Sequence, residues 1–487
     1  MMSTAKLNFI NNQWVDSGIY RDSVNPSDGT ILGQWAEASS QNVQEAIDVA
    51  LKTFKETDWK ENRYLRAKVL NEMADRFEDY AAKLIEMLTL ENGKVIQEAT
   101  FELMGTPRKL RYFAGLTLTS SGRALETAPG VFSMVLPQPI GVAGIIVPWN
   151  SPVILLIRSL APALAAGCTT VIKMPSATAL VNNLISQVFE ATKSLPAGVC
   201  NLFTEGPTGK GSPMLIEDKN VPTISYTGST KVGKILMENM SKNLKRFGLE
   251  LGGKTPMLIF NDADLSKVLP VLEKSITVFA GQYCMTGSRI LVQNGIASKV
   301  REGLARRLEN VKVGPGNDPK SDMGPVIDKP NVARINSIVE KAIGDGAKVI
   351  TRGGPVLEGA LAKGAFYRPT LLEVSDNSLP IVQEETFGPV ATLQVFDTEA
   401  EAIRLANDNI YGLSASVWSS HVDLPLRVAR ELDAGTVWIN DWSQIDDEFE
   451  EGGFKMSGPR RLNGEAALWE FQEIKHIFHN SGTIQSK

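Results

Sequence analysis

Cysteine and histidine are scarce: the 487 residues hold three of each, Cys168, Cys200 and Cys284, and His421, His476 and His479. So few cysteines make no disulfide framework. The odd count leaves at least one thiol unpaired within the chain, which fits a reducing compartment. The same scarcity argues against a histidine-rich or zinc-cluster site, so no metal is expected. An excess of one charge is also lacking. Fifty Lys+Arg against 55 Asp+Glu leave a formal net charge of −5, which recommends neither nucleic acid nor an anionic membrane surface as a partner. The first residues, Met1 to Ile10, carry no apolar core of signal-peptide length. The longest uncharged stretch, Thr127 to Ile157, has the length of a membrane span. It also contains Pro129, Pro137, Pro139, Pro148 and Pro152, which break any helix through it. Strands and a turn are expected there, and a cytoplasmic protein.

At ~150 residues per domain the length suggests about three structural units. Hydrophobic residues make up 43% and charged residues 22%, as in an ordinary globular chain. No solenoid-length repeat and no low-complexity tract is visible. Residues 41–120 read as helix, with Val43, Ala46, Ile47, Ala50 and Phe54 on one face and Val69, Leu70, Met73 and Phe77 on another. From about Ser120 to Pro139 the chain reads as an extended hairpin. Then strand and helix alternate: strands at 144–147, 169–172 and 221–226, helices at 153–166 and 177–192, and a helical stripe of Val232, Ile235, Leu236 and Met240. A second such pattern follows Gly253, with strands at 255–260, 347–350 and 391–396 and a helix at 264–280. The tail 473–478 alternates polar and apolar residues as an edge strand does. The fold class expected is α/β: two open, doubly wound α/β domains plus strands that belong to neither core.

Six short segments could carry chemistry. Cys284 sits among glycine and polar residues in Gly281-Gln282-Tyr283-Cys284-Met285-Thr286-Gly287-Ser288. A turn there can present a thiol near backbone N–H groups, lower its pKa and make it a nucleophile; Cys168 and Cys200 read as buried structural residues. In Glu250-Leu251-Gly252-Gly253-Lys254, two residues without side chains allow close approach to a carboxylate that, partly desolvated, can act as a general base. Val147-Pro148-Trp149-Asn150 ends a hydrophobic strand, and a neutral amide suits a developing oxyanion. Thr227-Gly228-Ser229-Thr230-Lys231-Val232-Gly233 joins a strand to a helix and offers caps and free N–H groups, either as an ordinary capped helix or as an anion site. Lys173-Met174-Pro175-Ser176 places a cation after a strand, for a ribose, a phosphate or plain solvent. Glu384-Glu385-Thr386-Phe387-Gly388-Pro389 sets a carboxylate two residues before an aromatic ring.

Taken together and in this order, these segments resemble the signatures of the aldehyde dehydrogenase superfamily, over essentially the whole chain. Trp438-Ile439-Asn440 and Lys455-Met456-Ser457-Gly458 also match. The resemblance implies a Rossmann-like cofactor domain at 1–119 and 141–252, a catalytic domain at 253–456, and a small β oligomerisation arm at 120–140 and 457–487. It implies oxidation of an aldehyde with NAD or NADP by a homodimer or homotetramer. Cys284 would attack the aldehyde, Asn150 would hold the oxyanion, and Glu250 would activate water to hydrolyse the thioester. Lys173 would serve the adenosine ribose, Ser229 the pyrophosphate, Glu385 the nicotinamide ribose and Phe387 the nicotinamide, with Trp149, Ser176, Gly228 and Leu251 also in the cofactor site.

Three departures from the family pattern matter. Many NAD-preferring members carry Glu where this chain has Ser176. A carboxylate would repel a 2′-phosphate and a serine would not, so NADP is expected to be tolerated. Leu462 lacks the carboxylate that some relatives offer for proton relay. Arg158 and Ser159 stand where relatives often have an aromatic residue and a lysine; Arg158 could pair within the domain or meet a substrate carboxylate. The pocket implied by similarity is Ile154, Leu155, Arg158, Tyr283, Met285, Trp442, Ile445 and Phe449, which favours an aromatic or medium-chain aliphatic aldehyde. The acidic run Asp446, Asp447, Glu448, Glu450 and Glu451 reads as a solvated loop. Its alternative is attraction of a betaine or amino aldehyde, with cation–π contact to Tyr283 or Trp442. Transfer of the thioester to coenzyme A needs no base, and Glu250 counts against it. A non-catalytic binding or structural protein would not need Cys284, Asn150 and Glu250 together.

Overall fold

The computed structural model describes residues 5–207 and 209–484; the first four residues of the amino-terminal stretch and the last three of the carboxyl-terminal arm lie outside the described residues. Two seven-stranded sheets dominate. In the first, the parallel strands Val142–Ile146, Thr169–Pro175 and Cys200–Glu205 run outward in one direction, and Thr223–Thr227 and Arg246–Glu250 in the other. This is the 3-2-1-4-5 order of a doubly wound sheet, which reverses between Val142–Ile146 and Thr223–Thr227. Asn8–Ile10 pairs antiparallel beside Cys200–Glu205, and Gln13–Val15 closes that edge. None of these amino-terminal strands was expected from the sequence, nor was the hairpin of Tyr20–Val24 with Ile31–Ala36.

Both faces of the first sheet are covered, which is why its strands read as continuous apolar runs. Ala143, Ile145, Ile172, Met174 and Leu202 pack against the helices Arg63–Met87, Pro152–Ala166 and Ala179–Ala191. Their neighbours Val142, Ile146, Val171 and Phe203 point the other way, onto the helix Ser40–Glu56. That helix starts at a reciprocal capping box of Ser39 and Asn42. The expected helical region 41–120 resolves into Ser40–Glu56, Arg63–Met87 and Ile96–Thr119, the last two linked by one π-helical turn, Leu88–Asn92.

The second sheet runs Thr370–Glu373, Val390–Phe396, Arg289–Gln293, Pro256–Ile259, Ser414–Trp418 and Thr436–Ile439, all parallel, with Lys348–Thr351 antiparallel at one edge. Side-chain alternation again divides its faces. Met257 and Ile259 pack toward the helices Leu265–Thr277 and Ala297–Glu309, while Leu258 and Phe260 pack toward Glu399–Asn407 and Leu424–Glu431.

The proline-rich stretch becomes strands, as expected. Val131–Pro139 lies between Arg123–Ala128 and the terminal strand Gln472–Asn480, forming a three-stranded antiparallel arm with Gln472–Asn480 at its edge. Among the described residues, no helix is long and apolar enough to cross a membrane.

Phe77 is fully buried in the core between the helices and the first sheet. Phe77→Ala should destabilise the protein by ~3–5 kcal/mol. A scanning-calorimetry Tm indistinguishable from that of the parent would show that this cluster does not bear on stability.

Candidate active site

The carboxyl ends of the five parallel strands in the first sheet share one edge, where open α/β sheets gather ligands. Asn150 follows Val142–Ile146, and Lys173 and Ser176 lie at the end of Thr169–Pro175. Gly228 and Ser229 follow Thr223–Thr227, and Glu250 ends Arg246–Glu250. The second sheet brings Cys284 to the same place. Its chain leaves the helix Leu265–Thr277 through a turn, Val278–Gly281, in which Phe279, Ala280 and Gly281 all adopt left-handed backbone (φ 49, 52 and 72). A Cβ on Gly281 would fall 2.1 Å from the Gly388 carbonyl carbon, so only glycine fits there. Three consecutive residues in this region cost energy that the surroundings must offset, and such strain gathers at functional sites.

The surroundings are a buried ionic network on the helix Ile96–Thr119. Glu102 pairs with Lys94 and accepts hydrogen bonds from the backbone N–H groups of Val153 (2.8 Å) and Ile154 (3.3 Å), capping the helix that follows Asn150. One turn earlier, Glu98 accepts from the Phe279 N–H (3.0 Å) and the Lys274 ammonium (3.2 Å). The Lys94 ammonium also donates to Ser151 (2.8 Å) and lies 3.9 Å from the Phe279 ring centroid. Two carboxylates four residues apart thus hold the Asn150 turn and the Cys284 turn. The sequence reading missed them, although charged residues within the apolar stripe of Ala99, Leu103 and Leu110 were a visible signal.

The turns that carry Asn150 and Cys284 come together. The Asn150 amide donates to the Gln282 carbonyl (3.0 Å), two residues before Cys284. Glu250 is 3% exposed, its Oε1 has no hydrogen-bond partner among the described residues, and its field acts on the Cys284 thiol. Burial raises the Glu250 carboxyl to about 8, against the pull of Arg158 and Arg460.

Opposing influences act on the Cys284 thiol. Burial pushes Cys284 up to about 12; Arg158 lowers it, while Glu250, Glu385 and Glu451 raise it. Arg158 is itself tied to Glu451 (3.3 Å), which blunts its effect. Cys284 is nonetheless half-buried, whereas Cys168 and Cys200 are fully enclosed structural residues.

The paired glycines have a protein-internal reason. A Cβ on Gly253 would lie 2.4 Å from the Cys284 carbonyl oxygen, and one on Gly252 2.5 Å from a Glu385 carboxylate oxygen. The expected close approach is therefore made by the chain itself. Glu385 accepts from the Gly253 N–H (3.1 Å), and burial raises its carboxyl to about 7. Ser457 also holds this segment: its carbonyl accepts from the Leu251 N–H (3.0 Å) and its hydroxyl donates to the Gly252 carbonyl (2.7 Å).

Along the cofactor edge, Ser229 caps the helix Thr230–Met240 by accepting from the Val232 N–H. Leu251 is buried, and Gly233 leaves room for its side chain. The rings of Trp149 and Phe387 meet edge to face, with centroids 5.6 Å apart. Lys173 is paired with Glu205 (3.4 Å), a residue the sequence reading passed over because it did not identify Cys200–Glu205 as a strand.

The pocket expectation needs revision. Phe449 is 71% exposed, and Met285 is buried in the core beneath. Tyr283 packs edge to face against Trp442 (5.9 Å) and Phe279 (5.7 Å), with Ile445 against the same cluster. Ile154 and Leu155 are half-buried on the helix after Asn150. Arg158 pairs within the protein through Glu451. The acidic run is not one solvated loop. Asp447 is buried between Arg108 (2.7 Å) and Lys109 (2.6 Å), and Glu451 is buried against Arg158, while Asp446, Glu448 and Glu450 are exposed. Arg460, also missed, is buried beside Glu470 (2.9 Å) and Ser159.

The model of the aldehyde dehydrogenase family matches residues 14–477. A betaine aldehyde dehydrogenase of Bacillus subtilis is 35% identical over 477 residues, covering 97% of each chain. A (Z)-2-((N-methylformamido)methylene)-5-hydroxybutyrolactone dehydrogenase of Acinetobacter baylyi is 33% identical, covering 96% of each. Among solved structures, a betaine aldehyde dehydrogenase of Staphylococcus aureus in complex with NAD+ superposes with a TM-score of 0.94 at 35% identity, over 99% of this chain and 96% of that one.

The raised Glu250 carboxyl has a stability consequence. The folded protein keeps a proton up to about pH 8 that the unfolded chain releases near 4.5. Glu250 therefore costs stability as pH rises through that window. Glu250→Gln should melt progressively higher than the parent between about pH 5 and pH 8; a Tm difference that does not change with pH would contradict the buried carboxyl.

Proposed function

This chain belongs to the aldehyde dehydrogenase family, and on that premise we propose that it oxidises a neutral hydrophobic aldehyde, aromatic or medium-chain aliphatic, to the carboxylic acid. Nicotinamide cofactor, NAD or NADP, supplies the hydride acceptor when bound. The donor set fits it: a cation at Lys173, the capped helix start at Ser229, a carboxylate at Glu385 and the ring pair of Trp149 and Phe387. Lys173 and Ser176 would hold the adenosine ribose, Gly228 and Ser229 the pyrophosphate, Glu385 the other ribose, and Leu251, Trp149 and Phe387 the flat surfaces.

Cys284 gives its thiol proton to the Glu250 carboxylate, which returns it to solvent before the hydrolytic step, and adds through sulfur to the aldehyde carbon. One hydrogen of the Asn150 amide is committed to the Gln282 carbonyl, and the other is left for the oxyanion, together with the Cys284 backbone N–H. Such a donor contributes ~3 kcal/mol to the barrier. Loss of hydride leaves a thioester on Cys284. Glu250 then takes a proton from water as the oxygen attacks the thioester carbon, and the acid departs as the C–S bond breaks. Burial suits Glu250 to this work, since it raises its basicity toward neutral pH.

The substrate reading rests on one observation: the wall beside Cys284 is aromatic and aliphatic, while the buried acids of the nearby acidic run, Asp447 and Glu451, already have cations of their own. A cationic betaine or amino aldehyde is the second reading, favoured by the names of the relatives and by exposed Asp446 and Glu448. The open edge strand Gln472–Asn480 supports assembly into a homodimer or homotetramer, because pairing it removes an aggregation hazard.

Cys284→Ala should abolish formation of reduced cofactor, and retained turnover would overturn the nucleophile assignment. Glu250→Gln should give a single burst of reduced cofactor and a thioester visible by mass spectrometry, with steady-state kcat down by roughly 10²–10⁴. Free acid should form at full rate without coenzyme A. By kcat/KM, benzaldehyde or octanal should exceed betaine aldehyde at least tenfold; the reverse order would replace the hydrophobic reading with the cationic one.

A further inference from the structure

The second strand of the doubly wound sheet, Thr169–Pro175, is where such folds commonly place an acidic residue that accepts a hydrogen bond from a ribose 2′-hydroxyl and excludes a 2′-phosphate. Here that strand ends in Ser176, with no carboxylate of its own. The adjacent third strand ends in Glu205, which lies in register with Pro175. Its Oε2 is 3.4 Å from the Lys173 ammonium, and both side chains are half-buried at the ligand-facing edge. Glu205 also accepts from the Ser212 N–H and from the Ser212 hydroxyl, each at 2.7 Å.

We propose that Glu205 is the residue that selects NAD over NADP, its carboxylate accepting the 2′-hydroxyl of the adenosine ribose and repelling a 2′-phosphate. This rests on the cofactor placement given above. A carboxylate offers about four acceptor positions, and the contacts to Ser212 and Lys173 occupy three. One remains for a hydroxyl proton. A 2′-phosphate has no proton to offer at neutral pH and brings further negative charge. Lys173 cannot compensate, because its charge is already balanced by Glu205. A second carboxylate borders this corner: Glu37, paired with Arg21 (2.8 Å), lies where a Cβ on Gly206 would come within 2.4 Å of it. The tolerance of NADP expected from Ser176 alone is thereby reversed by a residue 29 positions further along the chain.

The test is equilibrium binding of NAD and of NADP to the full-length protein by titration calorimetry, without aldehyde. The parent should bind NAD at least tenfold more tightly than NADP, and equal affinities would overturn the proposal without any variant. Glu205→Gln keeps an acceptor for the Ser212 N–H and should narrow the ratio at least fivefold, chiefly by gaining affinity for NADP. Ser212→Ala keeps the carboxylate and should leave the ratio unchanged. An equal shift in both variants would mean that Glu205 acts only as a helix cap, and overturns the proposal. Adding Ser176→Glu to Glu205→Gln should restore the preference. Binding of neither dinucleotide would remove the cofactor placement itself, whereas NAD binding with an unaltered ratio in Glu205→Gln would remove Glu205 alone.

Discussion

Two carboxylates on one helix hold the turns of the candidate active site together. Glu102 and Glu98 stand four residues apart on Ile96–Thr119, so they project from the same face. Each satisfies backbone N–H groups that belong elsewhere: Glu102 those of the helix after Asn150, Glu98 that of the turn before Cys284. The Asn150 turn comes from the first sheet and the Cys284 turn from the second. One helix therefore sets their separation. The arrangement is stiff because a buried carboxylate without its donors is costly, and Lys94 and Lys274 supply the balancing charge.

Charge burial also sets the chemistry. Cys284, Glu250 and Glu385 are all pushed toward their neutral forms by desolvation. For Glu250 in its proposed role this is an advantage, since a base is most useful when its pKa lies near the working pH. At Cys284 burial opposes formation of a thiolate. Arg158 is the cation that favours one, and Glu451 restrains it. Ser159 and Leu462 border two buried ion pairs, Ser159 beside Arg460–Glu470 and Leu462 through backbone bonds to Glu451 of the Arg158–Glu451 pair.

Much of the fold was legible because its signals are local. The apolar stripes at 41–120 and the runs at 144–147 and 391–396 follow from the helical and strand periods and from burial on both sheet faces. Proline placement turned a membrane-length stretch into strands and a helix start. The short strands Asn8–Ile10, Gln13–Val15 and Ser414–Trp418 were not legible, since three to five residues carry too little periodicity. Among site residues, Cys284, Glu250 and Asn150 stood out by their glycine, proline and aromatic neighbours. An aromatic in an acidic loop carries no mark of which way it faces, and Phe449 faces solvent.

The sequence by itself determined the family, the alternation that builds two parallel sheets, and the residue types needed to capture a carbonyl carbon, hold an oxyanion and activate water. Those depend on composition and neighbours along the chain. Only the tertiary structure decided how charges pair. Lys173 with Glu205, Arg158 with Glu451 and Asp447 with Lys109 join residues 32, 293 and 338 positions apart. Whether a carboxylate ends in solvent, against a cation or beside a ribose depends on which strand ends and loops the sheets bring together. Electrostatic energy depends on distance and burial in space, and neither is written in the order of residues.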